Sequence, residues 1–284
     1  MPTLLSFGHG FSAQALAKRL LPLDWRIIGT SRSEEKLAAI HASGVEPRIW
    51  PGADMQPALD AATHLLLSAA PGPNGDPVLQ ALGPEIAKRA EQFEWVGYLS
   101  TTGVYGDHQG DWVDETTPLN PETKRGIARV NAESDWQAIK GLNLHIFRLA
   151  GIYGPGRGPF AKVRNGTARR IIKQGQVFSR THVEDIAQVL EASIRKPNPG
   201  AIYNVCDDDP APPEDVIAYA AELLGLPTPP AERFEDAEMT DMARSFYAES
   251  KKVRNDLIKS ELGVNLRYPN YRTGLEALLA AEQK

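Results

Sequence analysis

Residues 3–13 read TLLSFGHGFSA, and this stretch decides how the chain begins to fold. Its first five residues are a short apolar run that predicts a buried strand, and residues 12–21 carry apolar side chains at helical spacing. Between them, Gly8 allows a tight turn, Gly10 lets the backbone approach a bound group, and Ala13 permits close helix–strand packing. This G-x-G-x-x-A pattern predicts a helix N-terminus that binds the pyrophosphate of a dinucleotide, although a purely structural turn can have the same pattern.

Strand-like and helix-like segments alternate through the first half of the chain. Further strands are expected at Arg26–Thr30, Pro47–Trp50, His64–Ala69, Trp95–Ser100 and Leu144–Leu149, and helices at Glu34–Ser43 and at Val78–Phe93, the latter interrupted at Gly83–Pro84. The connections are too long for hairpins, so they predict parallel βαβ units with helices on both faces. The expected fold class is therefore α/β, a Rossmann doubly wound parallel sheet followed by a smaller C-terminal substrate lobe.

The composition narrows the class of protein. The chain has 284 residues, of which 42% are hydrophobic and 24% charged, as in ordinary globular proteins. Its net charge of -5 gives no sign of a basic face for nucleic acid, and its single cysteine excludes an internal disulfide. The start lacks a basic leader, and no run of apolar residues is long enough to span a membrane. We therefore expect a cytoplasmic protein with no nucleic-acid partner, no membrane contact and no metal.

The end of the second predicted strand bears on which dinucleotide is bound. An NAD site usually has an acidic residue there, which hydrogen-bonds the adenosine ribose. Here Ser31, Arg32 and Ser33 occupy the position, and the first carboxylate is Glu34. Because an arginine flanked by hydroxyls suits a 2′-phosphate, we expect NADP(H) in preference to NAD(H). The alternative is a surface arginine at the start of the second helix.

Four later segments extend the comparison to a family. They read STTGVYG (100–106), FRLAGIYGPGR (147–157), RTHVEDIA (180–187) and YNVCDDDP (203–210). In this order and spacing the chain resembles the extended short-chain dehydrogenase/reductases, the NAD(P)-dependent epimerase/dehydratase-like branch. The resemblance runs over nearly the whole chain, and residues 250–264 look like that family's C-terminal helix.

The resemblance implies roles for individual residues. The cofactor would be bound by Gly8, Gly10, Phe11 and Ser12 at the pyrophosphate, Asp54 at the adenine, Ala69, Ala70 and Pro71 along the ribose, and Tyr153 near the nicotinamide. Thr101 stands where the family has its catalytic Ser or Thr, so its hydroxyl would bond the substrate carbonyl or alcohol. His182 and Asp185 are given structural roles.

Residues 123–133, TKRGIARVNAE, depart from the family pattern. The catalytic Y-x-x-x-K motif of the family aligns with RGIAR, so Arg125 stands at the tyrosine and Arg129 at the lysine, with Glu133 four residues further on. On a helix all three share one face, which is either a solvated stripe or, as we expect from the resemblance, a wall of the active site. The chain thus resembles atypical members that lack YxxxK.

Arginine cannot replace the tyrosine as an acid or base, because it stays protonated in proteins. Arg125 can instead stabilise an oxyanion or an anionic substrate, and Arg129 can bind the nicotinamide ribose. Tyr105, Tyr153, His108 and water are the candidate proton donors. Thr102 and Gly103 occupy the positions of the acidic pair in the dehydratase branch, which argues against that dehydration chemistry.

The expected organisation is a Rossmann domain at 1–154 plus 181–204, a substrate lobe at 155–180 and 205–270, and a C-terminal helix at 271–284. Arginines 157, 164, 169, 170 and 180, and the RSFY segment at 244–247, are expected to face the cleft. Together with Arg125 they indicate an anionic ligand, although surface arginines would look the same.

We interpret the sequence as an NADP(H)-dependent oxidoreductase or epimerase-like enzyme for a small anionic carbonyl, alcohol or sugar-type substrate. The alternative is a catalytically weak or inactive NAD(P)-binding sensor or partner-binding protein. A homodimer through the helices at 81–93 and 127–139 is a further expectation.

Overall fold

The computed structural model describes residues 1–283, and a parallel sheet forms its centre. The strands are β1 (Thr3–Phe7), β2 (Arg26–Ser31), β3 (Glu46–Ile49), β4 (His64–Leu67), β5 (Trp95–Thr101), β6 (Trp112–Val113), β7 (Leu144–Leu149), β8 (Gly151–Tyr153), β9 (Arg170–Ile172), β10 (Arg180–His182), β11 (Ile202–Val205), β12 (Ala231–Arg233) and β13 (Lys252–Val253). The α-helices are α1 (Phe11–Leu20), α2 (Leu37–Ala42), α3 (Gln56–Ala61), α4 (Pro77–Lys88), α5 (Lys124–Gln137), α6 (Phe160–Arg164), α7 (Val183–Arg195), α8 (Pro213–Leu223), α9 (Asp241–Phe246), α10 (Asp256–Ser260) and α11 (Tyr271–Glu282).

The central sheet has seven strands in the order β11-β7-β5-β4-β1-β2-β3, and its paired neighbours are parallel. The strand order reverses between β1 and β4, so the connections after these two strands leave in opposite directions. In open α/β sheets, this reversal opens a crevice at the carboxyl ends of the strands. The predicted doubly wound Rossmann fold is therefore confirmed.

Alternating side chains divide the core into two layers. In β1, Leu4 faces the layer covered by α1 and α7, whereas Leu5 and Phe7 face the layer covered by α3, α4 and α5. The strands are buried on both faces, which explains why they are nearly continuous apolar runs in the sequence. Among residues 1–283, no helix has the length and apolar character that crossing a membrane requires.

The predicted interruption at Gly83–Pro84 is wrong, because α4 continues through Pro84. A proline inside a helix leaves the carbonyl four residues earlier without its usual partner. Here Pro84 and Gln80 are both exposed, so water can satisfy the Gln80 carbonyl at little cost. Asp76 supports the start of the helix, because its carboxylate accepts hydrogen bonds from the backbone N–H groups of Val78 and Leu79.

Residues 250–264 are not the single helix that the resemblance suggested. They form the short strand β13 and the one-turn helix α10. β13 pairs in parallel with β6, so the segment is held extended against the loop after β5. The Asn255 side chain then fixes the chain before α10, donating to the Cys206 carbonyl at 2.8 Å.

The C-terminal lobe packs around its own small core, in which α6, α8 and α11 meet. β9 pairs with β12, and β10 pairs with β8 beside the main sheet. Tyr153 at the end of β8 belongs to this core, so the lobe is packed directly against the carboxyl edge of the sheet. The domain limits stated above remain a prediction.

A buried ion pair fixes α5 against the sheet. Glu133 on α5 and Arg148 on β7 are 2% and 3% exposed, and Arg148 Nη2 donates to Glu133 Oε2 at 2.8 Å. Ser100 on β5 donates its hydroxyl to the other carboxylate oxygen, and Arg148 Nη1 donates to the Tyr105 hydroxyl at 3.0 Å. Three elements are thus bound through one buried network, in which every charge has a partner.

Glu133→Gln should strongly destabilise the protein, because Arg148 would remain buried without a compensating charge. Loss of one partner of a buried pair costs about 3–5 kcal/mol. The free energy of unfolding in urea would measure this loss. Glu232→Gln, which removes an exposed and solvent-screened pair with Arg169, is the matched control and should change stability little. Equal effects of the two substitutions would show that the buried pair does not anchor α5.

Candidate functional site

A cavity of about 940 Å³ lies at the carboxyl edge of the central sheet. Its walls come from both the sheet and the C-terminal lobe. The lining residues used below are Gly8, Gly10, Phe11, Ser12, Ala70, Pro71, Thr101, Arg125, Arg129, Tyr153, Arg157, Arg180, Ser245, Phe246, Glu249 and Lys251. The size lies at the upper end of the range for ligand pockets, which is about 300–1,000 Å³.

The first wall is the turn between β1 and α1. Gly8 has a φ of +78°, and a Cβ there would lie 3.1 Å from the backbone nitrogen of Ala69. Its N–H donates to Thr30 Oγ1 at 2.9 Å, and Ser68 Oγ donates to its carbonyl at 2.6 Å. The two neighbouring strands therefore hold the turn in one conformation, which only glycine adopts without strain.

The N-terminus of α1 faces this cavity without a side-chain cap. Gly10 is the N-cap residue and makes no side-chain hydrogen bond, so the first backbone N–H groups of the helix lack an intrahelical partner. A Cβ at Gly10 would come no nearer than 3.7 Å to any atom, so the missing side chain leaves open space in front of these groups. A pyrophosphate fits such a position, because it accepts hydrogen bonds and interacts favourably with the helix dipole.

The residues expected near the adenosine lie at or after the ends of β2, β3 and β4. Arg32 is exposed directly after β2, and the Ser31 hydroxyl is engaged in a local turn with Ser33 at 3.1 Å. Asp54 is exposed and accepts a hydrogen bond from the backbone of Gln56 at 3.0 Å. Ala69 adjoins the glycine turn through its backbone. Their cofactor contacts remain predictions.

The face of α5 that carries Arg125, Arg129 and Glu133 runs from the cavity mouth into the core. Arg129 is half-buried, and its Nη1 donates to the Tyr98 hydroxyl at 3.0 Å and to the Leu99 carbonyl at 2.8 Å. Arg125 is exposed, and both it and Arg129 line the cavity. This face of α5 is therefore part of the cavity wall and not a solvent-exposed stripe of ion pairs.

Helix α9 of the lobe covers the mouth of the cavity at Arg125. The Arg125 guanidinium lies 4.9 Å from the centre of the Phe246 ring, and its Nη2 donates to Ser245 Oγ at 3.3 Å. Phe246 is 53% exposed, so this contact is at the surface. A cation–π contact at an exposed site stabilises by about 0.5–1 kcal/mol. The contact with α9 therefore favours this position of the Arg125 side chain but does not fix it.

Thr101 ends β5 at the cavity wall. Its Oγ1 accepts a hydrogen bond from the Gly103 N–H at 3.2 Å. This bond orients the side chain and leaves the hydroxyl hydrogen to be donated elsewhere. Thr101 can therefore donate to an oxygen in the cavity.

Two of the proton donors considered from sequence do not reach the cavity. The Tyr105 hydroxyl is fully buried and donates to Asn204 Oδ1 at 2.7 Å, and His108 Nε2 lies 3.2 Å from the Tyr105 carbonyl oxygen. Neither residue is among the lining residues. Tyr153 does line the cavity, but burial raises the pKa of its hydroxyl. Tyr153 is therefore a weaker acid than a free tyrosine.

Glu249 and Lys251 are lining residues that the sequence reasoning missed. Lys251 Nζ donates to Glu249 Oε2 and to the Gly106 carbonyl, both at 2.6 Å. The side chains are 12% and 9% exposed. The sequence gives no local signal for them, because the ESKKV run at 249–253 is polar up to Val253 and shows no periodic apolar pattern.

The arginines of the lobe separate into two groups. Arg157 and Arg180 line the cavity as expected. The expectation is wrong for four others, whose donors are engaged elsewhere: Arg164 with Glu282, Arg169 with Glu232, Arg170 with the Pro229 carbonyl and Arg244 with the Ala237 carbonyl. Spacing in sequence could not separate the groups, because the partners lie about 60 or more residues away in most cases.

His182 and Asp185 make internal contacts. His182 Nδ1 accepts from the Glu184 N–H at the start of α7, and Asp185 accepts from the backbone of Arg267 and Tyr268. In the part of the chain that the structure describes, no group of three or more His, Cys, Asp or Glu side chains is arranged to hold a metal ion.

Comparison with known proteins agrees with this geometry. The model of the NAD dependent epimerase/dehydratase family matches residues 85–206. Protein YeeZ of Escherichia coli (strain K12) is 30% identical over 277 residues, which cover 93% of this chain and 95% of YeeZ. A conserved protein from Silicibacter pomeroyi DSS is 67% identical and superposes with a TM-score of 0.97 over 99% of both chains. UDP-glucuronic acid 4-epimerase from Bacillus cereus in complex with NAD has a TM-score of 0.75 at 15% identity, with full coverage of both chains.

The chain therefore belongs to the NAD-dependent epimerase/dehydratase family, as the sequence resemblance predicted. Membership supports a nicotinamide dinucleotide as the cofactor and an oxidoreductase or epimerase-like role. The B. cereus epimerase, at its low identity, supports the fold alone.

Gly10→Ala should lower the affinity for NADPH by tenfold or more while leaving the apoprotein nearly as stable. The added methyl group meets nothing within 3.7 Å in the protein but occupies the space that a pyrophosphate would take. Calorimetric titration with NADPH and thermal unfolding measure the two effects. Gly83→Ala, which also has its nearest contact at 3.7 Å, is the control. Wild-type affinity in Gly10→Ala would place the dinucleotide elsewhere.

Proposed function

We propose that this member of the family is an NADP(H)-dependent oxidoreductase or epimerase-like enzyme that acts on a small anionic carbonyl, alcohol or sugar-type substrate. The observation that carries the proposal is a single cavity that joins the uncapped helix N-terminus to Thr101, Arg125 and Arg129. A dinucleotide at the glycine turn and a substrate beside Thr101 would share this space.

We propose the following contacts along the length of the dinucleotide. Gly8, Gly10, Phe11 and Ser12 would hold the pyrophosphate, and Arg32 with Ser31 would bind the 2′-phosphate. Ala69, Ala70 and Pro71 would line the ribose, and Asp54 would contact the adenine. Tyr153 would lie near the nicotinamide, whose ring supplies or accepts a hydride when bound.

Arg129 is suited to the nicotinamide ribose. Its Nη1 is already fixed by Tyr98 and Leu99, which leaves its other donors for a ribose hydroxyl. The burial of Tyr98 raises the pKa of that hydroxyl, so Tyr98 acts as a neutral anchor for Arg129. The arginine therefore takes over the binding part of the family lysine's role without its proton chemistry.

The substrate oxygen would be held by Thr101, with Arg125 stabilising negative charge as it develops. The Thr101 hydroxyl is oriented by its bond from Gly103, and the Arg125 guanidinium is steered by Phe246 and Ser245. The Thr101 hydroxyl is the preorganised donor of the two, and the exposed Arg125 adds positive charge at the cavity mouth.

We assign the proton transfer to Lys251. Arginines cannot exchange protons, and Tyr105 and His108 lie outside the cavity. The Lys251 ammonium uses two of its three donors on Gly106 and Glu249, so one N–H remains for a ligand. An alkoxide formed by hydride addition is far more basic than an amine, so the proton passes from Lys251 to the substrate oxygen and the neutral amine recovers it from water.

The alternative is a weakly active or inactive NAD(P)-binding sensor or partner-binding protein. It is favoured by the two arginines in the place of the family's acid–base pair, both of which already donate hydrogen bonds to the protein. The sensor would bind the dinucleotide but turn over no substrate, so binding and turnover measured on the same sample separate the two.

Arg32→Ala should weaken NADPH binding by about 10–100-fold and leave NADH binding nearly unchanged, because a hydrogen bond to a charged group contributes about 1.5–3 kcal/mol. Calorimetric titration with each nucleotide is the measurement. Arg233→Ala, an exposed arginine far along the chain on β12, is the control for a general loss of positive charge. If Arg32→Ala binds NADPH like the wild type, the 2′-phosphate assignment is wrong.

Lys251→Arg should lower kcat by about 10²–10⁴-fold with little change in KM, because arginine keeps the charge but cannot release a proton. Lys251→Met should raise KM as well. The assay follows the absorbance of NADPH. It falls if pyruvate or phenylglyoxylate is reduced, and it rises if NADP⁺ oxidises UDP-glucuronic acid. Wild-type kcat in Lys251→Arg would remove Lys251 from proton transfer, whereas no turnover by wild-type protein that binds NADPH would favour the sensor.

A further inference from the structure

The lobe side of the cavity carries apolar side chains that the proposed reaction does not use. Beyond the lining residues named above, they are Val177 and Phe178 before β10, Val216 on α8 and Leu275 on α11. Together with Phe246 on α9 they form what we call the apolar wall. Val177 and Phe178 are half-buried and Phe246 is 53% exposed, so part of the wall is still open to solvent. A ligand with an apolar group would cover this surface and gain affinity from doing so.

The apolar wall lies beside the residues proposed to act on the substrate oxygen. Val177 donates its N–H at 3.1 Å to the hydroxyl of Ser250, the residue before Lys251. The Phe246 ring lies 4.9 Å from the Arg125 guanidinium. A substrate whose oxygen is held near Lys251 and Arg125 would therefore place its next atoms against this wall.

The lobe side of the cavity offers few hydrogen-bond acceptors. The lining side chains of the lobe that carry an oxygen are Ser179, Ser245, Glu249 and Tyr271. The first three already accept a hydrogen bond from within the protein, and Tyr271 is only 2% exposed. Among residues 1–283, no Asp, Asn, Gln or His side chain lines this cavity. The arginine and lysine side chains of this wall donate hydrogen bonds but cannot accept them.

This balance of donors and acceptors separates the substrate classes that the proposed function leaves open. Each hydroxyl of a sugar carries a hydrogen that needs an acceptor, and burying it without one is unfavourable. A carbonyl oxygen only accepts, so it matches a cavity rich in donors. An aromatic ring has no hydrogen to donate to an acceptor, and it packs well against aromatic side chains.

We propose that the apolar wall binds an aromatic ring of the substrate, so that the substrate is an aryl carbonyl compound, or the corresponding alcohol in the reverse direction, and not a sugar. This inference rests on the proposed function and narrows the substrates named there. The carbonyl oxygen lies at Thr101, Arg125 and Lys251, and the ring lies against Phe178 and Phe246.

The test measures binding in complexes that cannot react. Phenylglyoxylate and pyruvate are both 2-keto acids and differ in having a phenyl or a methyl group. NADP⁺-saturated protein is titrated calorimetrically with each, because the oxidised cofactor cannot reduce them. NADPH-saturated protein is titrated with UDP-glucuronic acid, because the reduced cofactor cannot oxidise it. The wild type should bind phenylglyoxylate more tightly than either other compound, by about tenfold or more.

Phe178→Ala should lower the affinity for phenylglyoxylate by about tenfold and leave the affinity for pyruvate nearly unchanged. Phe234→Ala is the matched control and should change neither. Both rings are half-buried and lie against the Tyr247 ring, with 5.9 Å and 5.4 Å between ring centres, but only Phe178 is a lining residue. Phe246→Ala alters an exposed position, so it tests the wall even if Phe178→Ala does not fold. It should also lower the ratio of the two affinities.

Unchanged NADP⁺ affinity and unfolding temperature in each variant would show that the fold and the cofactor site are intact. The proposal is overturned if wild-type protein that binds NADP⁺ binds none of the three compounds, or prefers pyruvate or UDP-glucuronic acid to phenylglyoxylate. It is also overturned if the folded aromatic variants keep the wild-type preference. Failure of the proposed function would show differently, because phenylglyoxylate would then bind with this preference but would not be reduced by NADPH.

Discussion

The buried ion pair between Glu133 and Arg148 is the interaction on which the rest of the site depends. It fixes α5 against β5 and β7, and with it the positions of the two arginines one and two turns closer to the helix start. Had Glu133 been exposed, the same face would have been a solvated stripe. Because it is buried and fully paired, Arg129 is delivered to the cavity wall and Arg125 to the cavity mouth.

The parallel sheet brings the two halves of the site together. Every central strand ends at the same edge, so the glycine turn after β1, Thr101 at the end of β5 and the segment after β7 meet although they are distant in sequence. The lobe closes the edge with further positive side chains. A cavity with arginine on both walls stabilises negative charge, whether the substrate carries it permanently or it develops during the reaction. Because arginine does not exchange protons, proton transfer is assigned to Lys251 on the lobe side.

Much of this could be predicted from local sequence. The turn at Gly8 and Gly10 and the strands of the sheet follow from patterns within a few residues, and the structure bears out the fold. Pro84 was misjudged because its effect depends on exposure, which the sequence does not state. Lys251 was missed because its environment comes from pairing across the chain, of β13 beside β6. The arginines of the lobe could not be sorted from the sequence either. Whether one lines the cavity or forms a surface ion pair depends on partners that are distant in the chain.

A crystal structure of the protein with NADP⁺ would show directly whether the cavity is built in this way. We expect the pyrophosphate on the first backbone N–H groups of α1, the 2′-phosphate at Arg32, and the nicotinamide between Thr101 and Lys251 with its ribose at Arg129. Density for the dinucleotide away from α1, or none at a saturating concentration, would contradict it.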